Sequence, residues 1–193
     1  MTANTELMGE AKKSLEGKWL IAVVSFLIYG ILTGILQSIP FIGMILGFVV
    51  GGPMTLGLII FSKNISQGNE AKLEQIFDGF KHFIPALLTY LVMMILIIIG
   101  LMLFIVPGVI LSFGLAMSLY IVSDEPDIGV EAALRKSYEM MKGYKMKLFG
   151  LTLLIFLLGI ACILTLGIGF FFLGPFAQVT MVKFYQDVKA DYD

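Results

Sequence analysis

The sequence predicts an all-α protein: a polytopic membrane helical bundle of about six transmembrane helices. Two observations support this prediction. The 193-residue chain is 59% hydrophobic and only 14% charged, whereas a typical soluble domain is about 45–50% apolar and about 25% charged. No Asp, Glu, Lys or Arg occurs in the stretches 19–62, 83–123 and 148–182. The first two stretches are long enough for two spans of roughly 20 apolar residues each. The third is short for two spans, which are expected to include flanking residues.

Each uncharged stretch contains helix-breaking residues near its middle, at 38–40, 106–108 and 165–169. Proline and glycine end or bend helices. Each stretch is therefore predicted to form a helical hairpin with a very short turn. The predicted spans are Trp19–Gln37, Phe41–Phe61, Phe83–Ile105, Val109–Val122, Leu148–Leu164 and Phe170–Phe184.

The basic residues predict the orientation of the bundle. Every Lys and Arg lies outside the three uncharged stretches, and the hairpin arrangement places all of them on one side of the membrane. The positive-inside rule assigns that side to the cytoplasm. Both termini are then cytoplasmic, and the expected location is the plasma membrane. The first apolar run is longer than a signal-peptide core of about 7–15 residues, so we interpret it as an uncleaved span.

A short cytoplasmic amphipathic helix is predicted before each hairpin. Apolar residues recur at helical spacing at Leu7, Ala11 and Leu15, and again within 73–80 and 130–141. Such helices lie in the membrane interface or pack under the bundle, and the pattern does not distinguish the two. The chain is interpreted as one membrane domain, 1–193, of three repeat-like units, 7–62, 70–122 and 128–188.

The three uncharged stretches, which form the predicted membrane interior, contain no ionisable carboxylate, lysine, arginine or histidine. Charged groups in a bilayer normally mark ion pathways or proton relays, so this weighs against a proton- or sodium-coupled pump. His82 has no visible catalytic or metal-binding partner, and the single cysteine, Cys162, cannot form an internal disulfide. The acids Asp124, Glu125 and Asp127 are interpreted as a turn followed by a helix start, with Asp127 as the N-cap. We expect no enzyme activity, cofactor or metal.

Glycines at four-residue spacing predict close helix packing in the first hairpin. Gly30 and Gly34 form such a pair, and small residues at this spacing let helix backbones approach. The contact could join the first two spans or two copies of the chain, so a homo-oligomer stays open. The Gly-Pro pair of the second span is expected to kink or interrupt it. The predicted packing or hinge residues are Gly30, Gly34, Gly43, Gly47, Gly51, Gly52 and Pro53.

The link before the third hairpin is rich in basic residues. A basic cluster beside a span can hold anionic lipid headgroups, at about 1 kcal/mol per basic residue, or it can simply set the topology. Both interpretations stay open. The candidate anionic-lipid contacts are Arg135, Lys136, Lys142, Lys145 and Lys147.

Several segments resemble one bacterial family. They include Gly52-Pro53-Met54-Thr55-Leu56-Gly57 and Ile105-Val106-Pro107-Gly108-Val109-Ile110, together with 11–19, 77–80, 132–137, 141–143 and 164–169. The family is the bacterial integral membrane proteins catalogued as domain of unknown function 975. The resemblance implies a six-span bacterial membrane protein of unassigned molecular function. That family is also similar to the membrane portion of some glycerophosphodiester phosphodiesterases, but their catalytic barrel is absent from this sequence, so no catalytic residue carries over.

The leading hypothesis is a non-enzymatic multi-pass membrane protein that binds lipid or scaffolds a cytoplasmic or membrane protein partner. Membrane lipids are the expected ligands. The formal net charge of −1 at pH 7 gives no sign of nucleic-acid binding. The alternative is a channel or uniporter for small uncharged or lipid-like solutes. It depends on the repeat, on the interruption expected in the second span and on the hydroxyl side chains within the spans. Tyr29, Thr33 and Gln37 share roughly one face of the first span and suggest a polar cavity.

Overall fold

The structure, a computed structural model, describes residues 2–39 and 42–192 and confirms the all-α prediction. Within these residues the chain forms α-helices and one 3₁₀ helix, without any strand. Pro40, the last residue of the predicted first turn, and Phe41, the first residue of the predicted second span, lie outside the described residues. The helices are α1 (Asn4–Leu15), α2 (Trp19–Gln37), α3 (Ile42–Ser66), the 3₁₀ helix (Leu73–His82), α4 (Phe83–Leu103), α5 (Ile105–Leu115), α6 (Ser118–Asp124), α7 (Val130–Met140), α8 (Lys145–Ile163) and α9 (Gly169–Tyr192).

Five helical segments are long and apolar enough to cross a membrane, which fits the predicted membrane protein. In α2, in α8 and in the segment that ends with α4, only 11% of the most apolar stretch is buried inside the chain. Their Leu, Ile and Phe side chains therefore point outward, toward the place where lipid would surround the protein. The five segments are Trp19–Gln37, Ile45–Ser66, Leu73–Leu103, Ile105–Asp124 and Lys145–Ile163.

The sixth predicted span, Phe170–Phe184, forms part of α9 but is not among these five segments. α9 is apolar at its start and carries charged residues from Lys183 onward. Phe171, near the start of α9, lines one groove together with Gly30, which lies near the middle of α2. The start of α9 therefore reaches the middle of α2 rather than its end. The arrangement of six spans as three hairpins stays a prediction.

The turn between α4 and α5 differs from the prediction. It is the single extended residue Phe104, with φ −156° and ψ 134°, and not the segment around Pro107. Pro107 instead lies in the first turn of α5, where a backbone N–H would have no partner within the helix. Gly108 then lets α5 approach α4, because a Cβ there would lie 2.5 Å from the backbone nitrogen of Leu101.

The turn between α8 and α9 lies where the sequence places it. α8 ends at Ile163 and α9 begins at Gly169. Two residues of the turn, Leu166 and Gly167, have φ values of 53° and 85°. This left-handed conformation suits glycine, and it reverses the chain within a few residues.

The predicted fourth span, Val109–Val122, is not one continuous helix. It divides into α5 and α6 between Leu115 and Ser118. The buried hydroxyl of Ser137 in α7 supports the break: it accepts a hydrogen bond from the Met117 N–H at 3.1 Å and donates one to the Gly114 carbonyl oxygen at 2.9 Å. A side chain distant in sequence thus provides bonds that a continuous helix would have made itself.

Two of the three predicted amphipathic segments form α-helices that pack against the bundle. Leu7, Ala11 and Leu15 are all fully buried. Of the two positions considered for α1, packing under the bundle is therefore the observed one, and not the membrane interface. α7 begins at Val130 with Gly129 at the N-cap position, so the expectation that Asp127 caps it was wrong. The third segment, between α3 and α4, is the 3₁₀ helix. The cytoplasmic location of all three stays a prediction.

The buried core lies at one end of the molecule. Buried residues occur in the first halves of α2, α4 and α8 and in the second halves of α3 and α9, away from the hairpin turns. We call this part the core end and the opposite part, with the turns at Phe104 and 164–168, the turn end. Phe61, Phe184 and Tyr185 are among the largest fully buried side chains.

Two glycines bring the 3₁₀ helix against α3 at the core end. A Cβ on Gly57 would overlap the carbonyl oxygen of Ile76, and a Cβ on Gly79 would overlap the carbonyl oxygen of Pro53. Both overlaps are with backbone, which cannot rotate away as a side chain can. The closest helix packing in the molecule's core end therefore depends on Gly57 and Gly79.

Candidate functional site

A groove of about 690 Å³ lies between α4, α5 and α7. Its floor is apolar and comes from α4 and α5, with Val92, Leu96 and Leu111 among its residues. One side of α7 forms its remaining wall. The full lining consists of Val92, Leu96, Leu111, Leu115, Val130, Glu131, Leu134, Arg135, Tyr138, Glu139 and Lys142.

The rim of this groove is charged and contains both signs. Glu131, Arg135, Glu139 and Lys142 follow one another along α7 and into the turn after it. The Arg135 Nε lies 3.2 Å from a carboxylate oxygen of Glu139, and the arginine side chain is 76% exposed. Beside the groove, the Lys145 ammonium lies 4.0 Å from the ring centre of Tyr138. The groove thus joins an apolar floor to an accessible, mixed-charge edge.

Of the five candidate lipid contacts, Arg135 and Lys142 line the groove, and Lys145 lies next to it. The remaining two are held elsewhere by acidic partners. Lys136 lies 2.5 Å from a carboxylate oxygen of Glu125. Lys147 lies 2.8 Å from Asp187, with both side chains mostly buried. The prediction of anionic-lipid contact at all five residues stays untested, but the structure brings only three of them together.

The predicted packing and hinge residues divide into two groups. A Cβ on Gly30, Gly34 or Gly47 would meet nothing within 4 Å inside this chain, so no close intrachain approach occurs there. At Gly52 a Cβ would lie 2.6 Å from the Ala86 carbonyl oxygen, so α3 and α4 do touch at that point. Whether the open glycines contact a second copy of the chain stays a prediction.

The remaining three residues of this set lie along α3. A Cβ on Gly51 would lie 3.3 Å from the ring of Tyr90 in α4. A Cβ on Gly43 would overlap the Leu36 carbonyl oxygen of α2. Pro53 lies inside α3, which continues as a helix from Ile42 to Ser66, so the structure shows no interruption of the second predicted span.

The polar residues predicted to share one face of α2 do line a cavity. Tyr29, Thr33 and Gln37 face a pocket of about 280 Å³ between α2, α3 and α4. Thr55 of α3 and Tyr90 of α4 complete its polar lining. The prediction of a polar cavity beside α2 is therefore confirmed, although a passage through the membrane is not shown by it.

A charge cluster at the core end was not foreseen in the sequence. We call it the Asp124 cluster: Asp124, Lys63, Lys189 and Tyr185. Lys63 donates to one carboxylate oxygen of Asp124, while Lys189 and Tyr185 donate to the other at 2.6 and 2.8 Å. The side chains of Asp124 and Lys63 are only 16% and 18% exposed. The cluster ties α6 to α3 and α9, and Asp124 is more than the turn residue that the sequence suggested.

A second buried ion pair links the start and end of the described chain. Asp187 of α9 pairs with Lys147 of α8 and accepts hydrogen bonds from the backbone N–H and hydroxyl of Thr2. Burial raises the pKa of Asp187, but the hydrogen bonds from Lys147 and Thr2 outweigh it and hold the pKa below its ordinary value. The sequence offered no signal for this pair, because its partners lie far apart along the chain.

The described residues contain no group of three or more His, Cys, Asp or Glu side chains placed to hold a metal ion. His82 ends the 3₁₀ helix, and Cys162 lies in α8 beside Gly169. The groove and the polar pocket each combine a cavity with polar side chains, as a binding site does.

These observations define a class: an all-helical protein whose apolar helices suit a membrane. The chain matches the family described as Protein of unknown function (DUF975) over residues 92–192. This is just over half of the chain, and the protein belongs to that family. The matched region contains most of α4 and all of α5 to α9, and with them the whole lining of the groove.

Neither a curated protein nor a solved structure matches the chain. The similarity to the membrane portion of glycerophosphodiester phosphodiesterases therefore stays an expectation from the sequence.

Proposed function

We propose that this protein is a non-enzymatic, multi-pass protein of the bacterial plasma membrane that binds a phospholipid in the groove between α4, α5 and α7. The observation that supports this most directly is the arrangement of the groove. An apolar floor from α4 and α5 meets a charged rim on α7. This division matches the acyl chain and the headgroup of one amphipathic molecule.

The floor fits an acyl chain. Val92, Leu96 and Leu111 lie within segments apolar enough to span a membrane, so a chain lying on them stays in the hydrocarbon region. Burying apolar surface here gives little hydrophobic gain, because lipid tails already surround the protein. The floor would therefore position a lipid, and the rim would provide selectivity.

The rim fits a headgroup with a phosphate and an ammonium group. Arg135 already donates to Glu139, but a guanidinium has further N–H donors that suit a phosphate. Lys142 adds a second positive charge at the same rim. Glu131 and Glu139 could accept hydrogen bonds from an ammonium group. The equal number of acids and bases favours a zwitterionic headgroup over the anionic one expected from the sequence.

Native mass spectrometry of the protein, extracted from the membrane in detergent with its tightly bound lipid, would test this proposal. We expect phosphatidylethanolamine to remain bound, and the double variant Arg135→Gln with Lys142→Gln to lose it. The matched control is Lys12→Gln with Lys13→Gln, which removes two exposed charges from α1. Equal lipid retention in the two double variants would overturn the proposed site. Stronger retention of phosphatidylglycerol than of phosphatidylethanolamine would replace the zwitterionic headgroup with an anionic one.

A second pair of variants tests the floor separately. Leu96→Trp places a large ring in the groove, whereas Leu32→Trp places the same ring on an α2 surface outside it. Both leucines are similarly exposed, at 38% and 36%. Only the first variant should release the lipid. If both variants keep it, the acyl chain does not lie on this floor.

The proposed topology has its own test. Both termini are proposed to be cytoplasmic, so a reporter inserted at Ile39, Phe104 or Gly167 should report the outside. Reporters at Gly68 and Asp127 should report the cytoplasm. A cytoplasmic signal at Gly167 would show that α8 and α9 do not form a spanning hairpin, which is the least supported part of the arrangement.

The alternative function is a channel or uniporter for small uncharged or lipid-like solutes. The polar pocket between α2, α3 and α4 supports it. Against it, Leu56 and Ile59 of α3, just beyond the pocket residue Thr55, are fully buried in the core. A scaffolding role for a cytoplasmic or membrane protein partner is also compatible with the folded core end.

A further inference from the structure

The pocket between α2, α3 and α4 has an unusual composition for its position. It lies within three segments apolar enough to span a membrane, yet its lining is largely made of hydroxyl and amide side chains. No charged residue is among its lining. The residues are Tyr29, Thr33, Leu36, Gln37, Gly47, Val50, Gly51, Thr55 and Tyr90.

Part of this polar lining is satisfied within the protein. The Thr33 hydroxyl donates to the Tyr29 carbonyl oxygen of its own helix at 2.8 Å. Among the described residues, however, none forms a hydrogen bond with the side chain of Gln37 or the hydroxyl of Tyr90. Gln37 is exposed at the end of α2 and Tyr90 is half-buried, so both keep hydrogen-bonding groups free for a ligand that enters the pocket.

The shape of the pocket also favours an occupant. Gly47 and Gly51 provide a wall without side chains on α3. At Gly47 a Cβ would meet nothing within 4 Å, so the space in front of this glycine is open. Toward the core end the pocket stops at Thr55, since Leu56 is fully buried. The volume of about 280 Å³ suits a small molecule rather than a lipid tail.

We propose that this pocket binds a small uncharged polyol. Its hydroxyl and amide groups both donate and accept hydrogen bonds, as the hydroxyls of a polyol do. A charged ligand would find no counter-ion in the lining, and burying an unpaired charge is far more costly than burying a hydroxyl. The rings of Tyr29 and Tyr90 offer apolar surface for the carbon skeleton. This site is separate from the phospholipid groove and does not depend on it.

Saturation-transfer difference NMR with glycerol tests the proposal, because the method detects weak binding. The full-length protein in lipid nanodiscs should give a glycerol signal well above that of empty nanodiscs. 1-Propanol, which has the same three carbons and one hydroxyl, should give a much weaker signal. A glycerol signal equal to that of empty nanodiscs, or an equal signal from 1-propanol, would overturn the proposal.

Two glycine variants assign the signal to the pocket. Gly47→Leu fills the space in front of a lining glycine, whereas Gly34→Leu adds the same side chain to an α2 glycine outside the lining. Neither substitution meets a neighbour at its Cβ, and both replace glycine with a better helix former. Gly47→Leu should reduce the glycerol signal to that of empty nanodiscs, and Gly34→Leu should leave it unchanged. Retention in Gly47→Leu would place glycerol elsewhere.

A further pair of variants separates filling from hydrogen bonding. Thr55→Val removes a lining hydroxyl with almost no change of volume, and Thr152→Val does the same in α8, where the hydroxyl bonds only to the Leu148 carbonyl oxygen. Thr55→Val should weaken the glycerol signal severalfold relative to Thr152→Val. Equal signals would mean that the pocket does not recognise hydroxyl groups, and the polyol assignment would be wrong.

Discussion

The core end and the turn end of this protein are held together in different ways. The core end contains the buried side chains, the Asp124 cluster and the pair of Asp187 with Lys147. At the turn end the helices expose large apolar residues, among them Leu103, Phe104 and Leu164, which are 68%, 71% and 87% exposed. Lipid tails are as apolar as leucine, so the hydrophobic effect drives little packing between helices inside a bilayer. A buried core forms where water is the competing solvent.

The largest expected effect comes from the Asp124 cluster. Asp124→Asn removes the carboxylate that Lys63 and Lys189 share, and breaking a largely buried pair costs about 3 kcal/mol of unfolding free energy. The measurement is unfolding in detergent mixtures followed by circular dichroism. The matched control is Glu70→Gln, whose pair with Lys72 is exposed at 77% and 58%. That variant should change stability by less than about 1 kcal/mol. Equal losses of unfolding free energy in the two variants would show that the buried pairs of Asp124 stabilise the fold no more than the exposed pair of Glu70.

The next comparison uses two helical glycines. Gly57→Ala would push a Cβ into the Ile76 backbone at the core end, whereas Gly34→Ala meets nothing in this chain. We expect a loss of about 1–3 kcal/mol for the first. For Gly34→Ala we expect no loss, because alanine is the better helix former. If Gly34→Ala is the more destabilising of the two, the turn end is packed by a contact outside this chain.

A serine pair should give a smaller difference. Ser137→Ala removes the hydroxyl that bonds to Met117 and Gly114 at the break between α5 and α6. Leaving these buried backbone groups without partners should cost about 1–3 kcal/mol. In Ser112→Ala, the lost bond runs to the Val109 carbonyl oxygen on the exposed side of α5. Its effect should stay within about 0.5 kcal/mol. Similar values for both would mean that the break does not depend on Ser137.

The smallest expected effect is a pH dependence at acid pH. The pKa of Asp187 is lowered in the folded protein, so its pairing stabilises the fold above the unfolded-state pKa of about 3.9. This contribution is lost as the pH falls through the folded-state pKa. The melting temperature of Asp187→Asn should therefore fall less steeply below about pH 4 than that of the unchanged protein. Lys147→Gln should also make this fall less steep. An unchanged acid profile in Asp187→Asn would assign the dependence to other carboxylates.

Much of the fold could be predicted because uncharged runs and breaking residues are local signals. They located α2, α4, α8 and the turn near Gly167. The break between α5 and α6 gave no such signal, since it depends on Ser137, which lies in a different helix. The turn between α4 and α5 was predicted at 106–108 but lies at Phe104. The prediction failed because proline can begin a helix as well as separate two helices.

The candidate sites were predictable to a different extent. Tyr29, Thr33 and Gln37 are spaced along one helix face, so the sequence itself indicated the polar pocket. The groove combines Arg135 and Lys142 with an apolar floor from α4 and α5, and only the packing of α7 against these helices brings the two together. The Asp124 cluster could not be foreseen, because Lys63, Asp124 and Lys189 meet only after three separate helices pack.

The short apolar part of α9 would also affect the membrane around the protein. Its uncharged residues, 169–182, rise by about 21 Å as a helix, while the hydrocarbon layer of a bilayer is about 30 Å thick. Lys183 cannot extend freely to make up the difference, because its ammonium group donates to the Ser66 carbonyl oxygen at 3.0 Å. If α9 spans the bilayer, as the proposed topology requires, the lipid beside it would have to thin to match it. The protein would then favour thinner bilayers, and the mismatch would lie on one flank only.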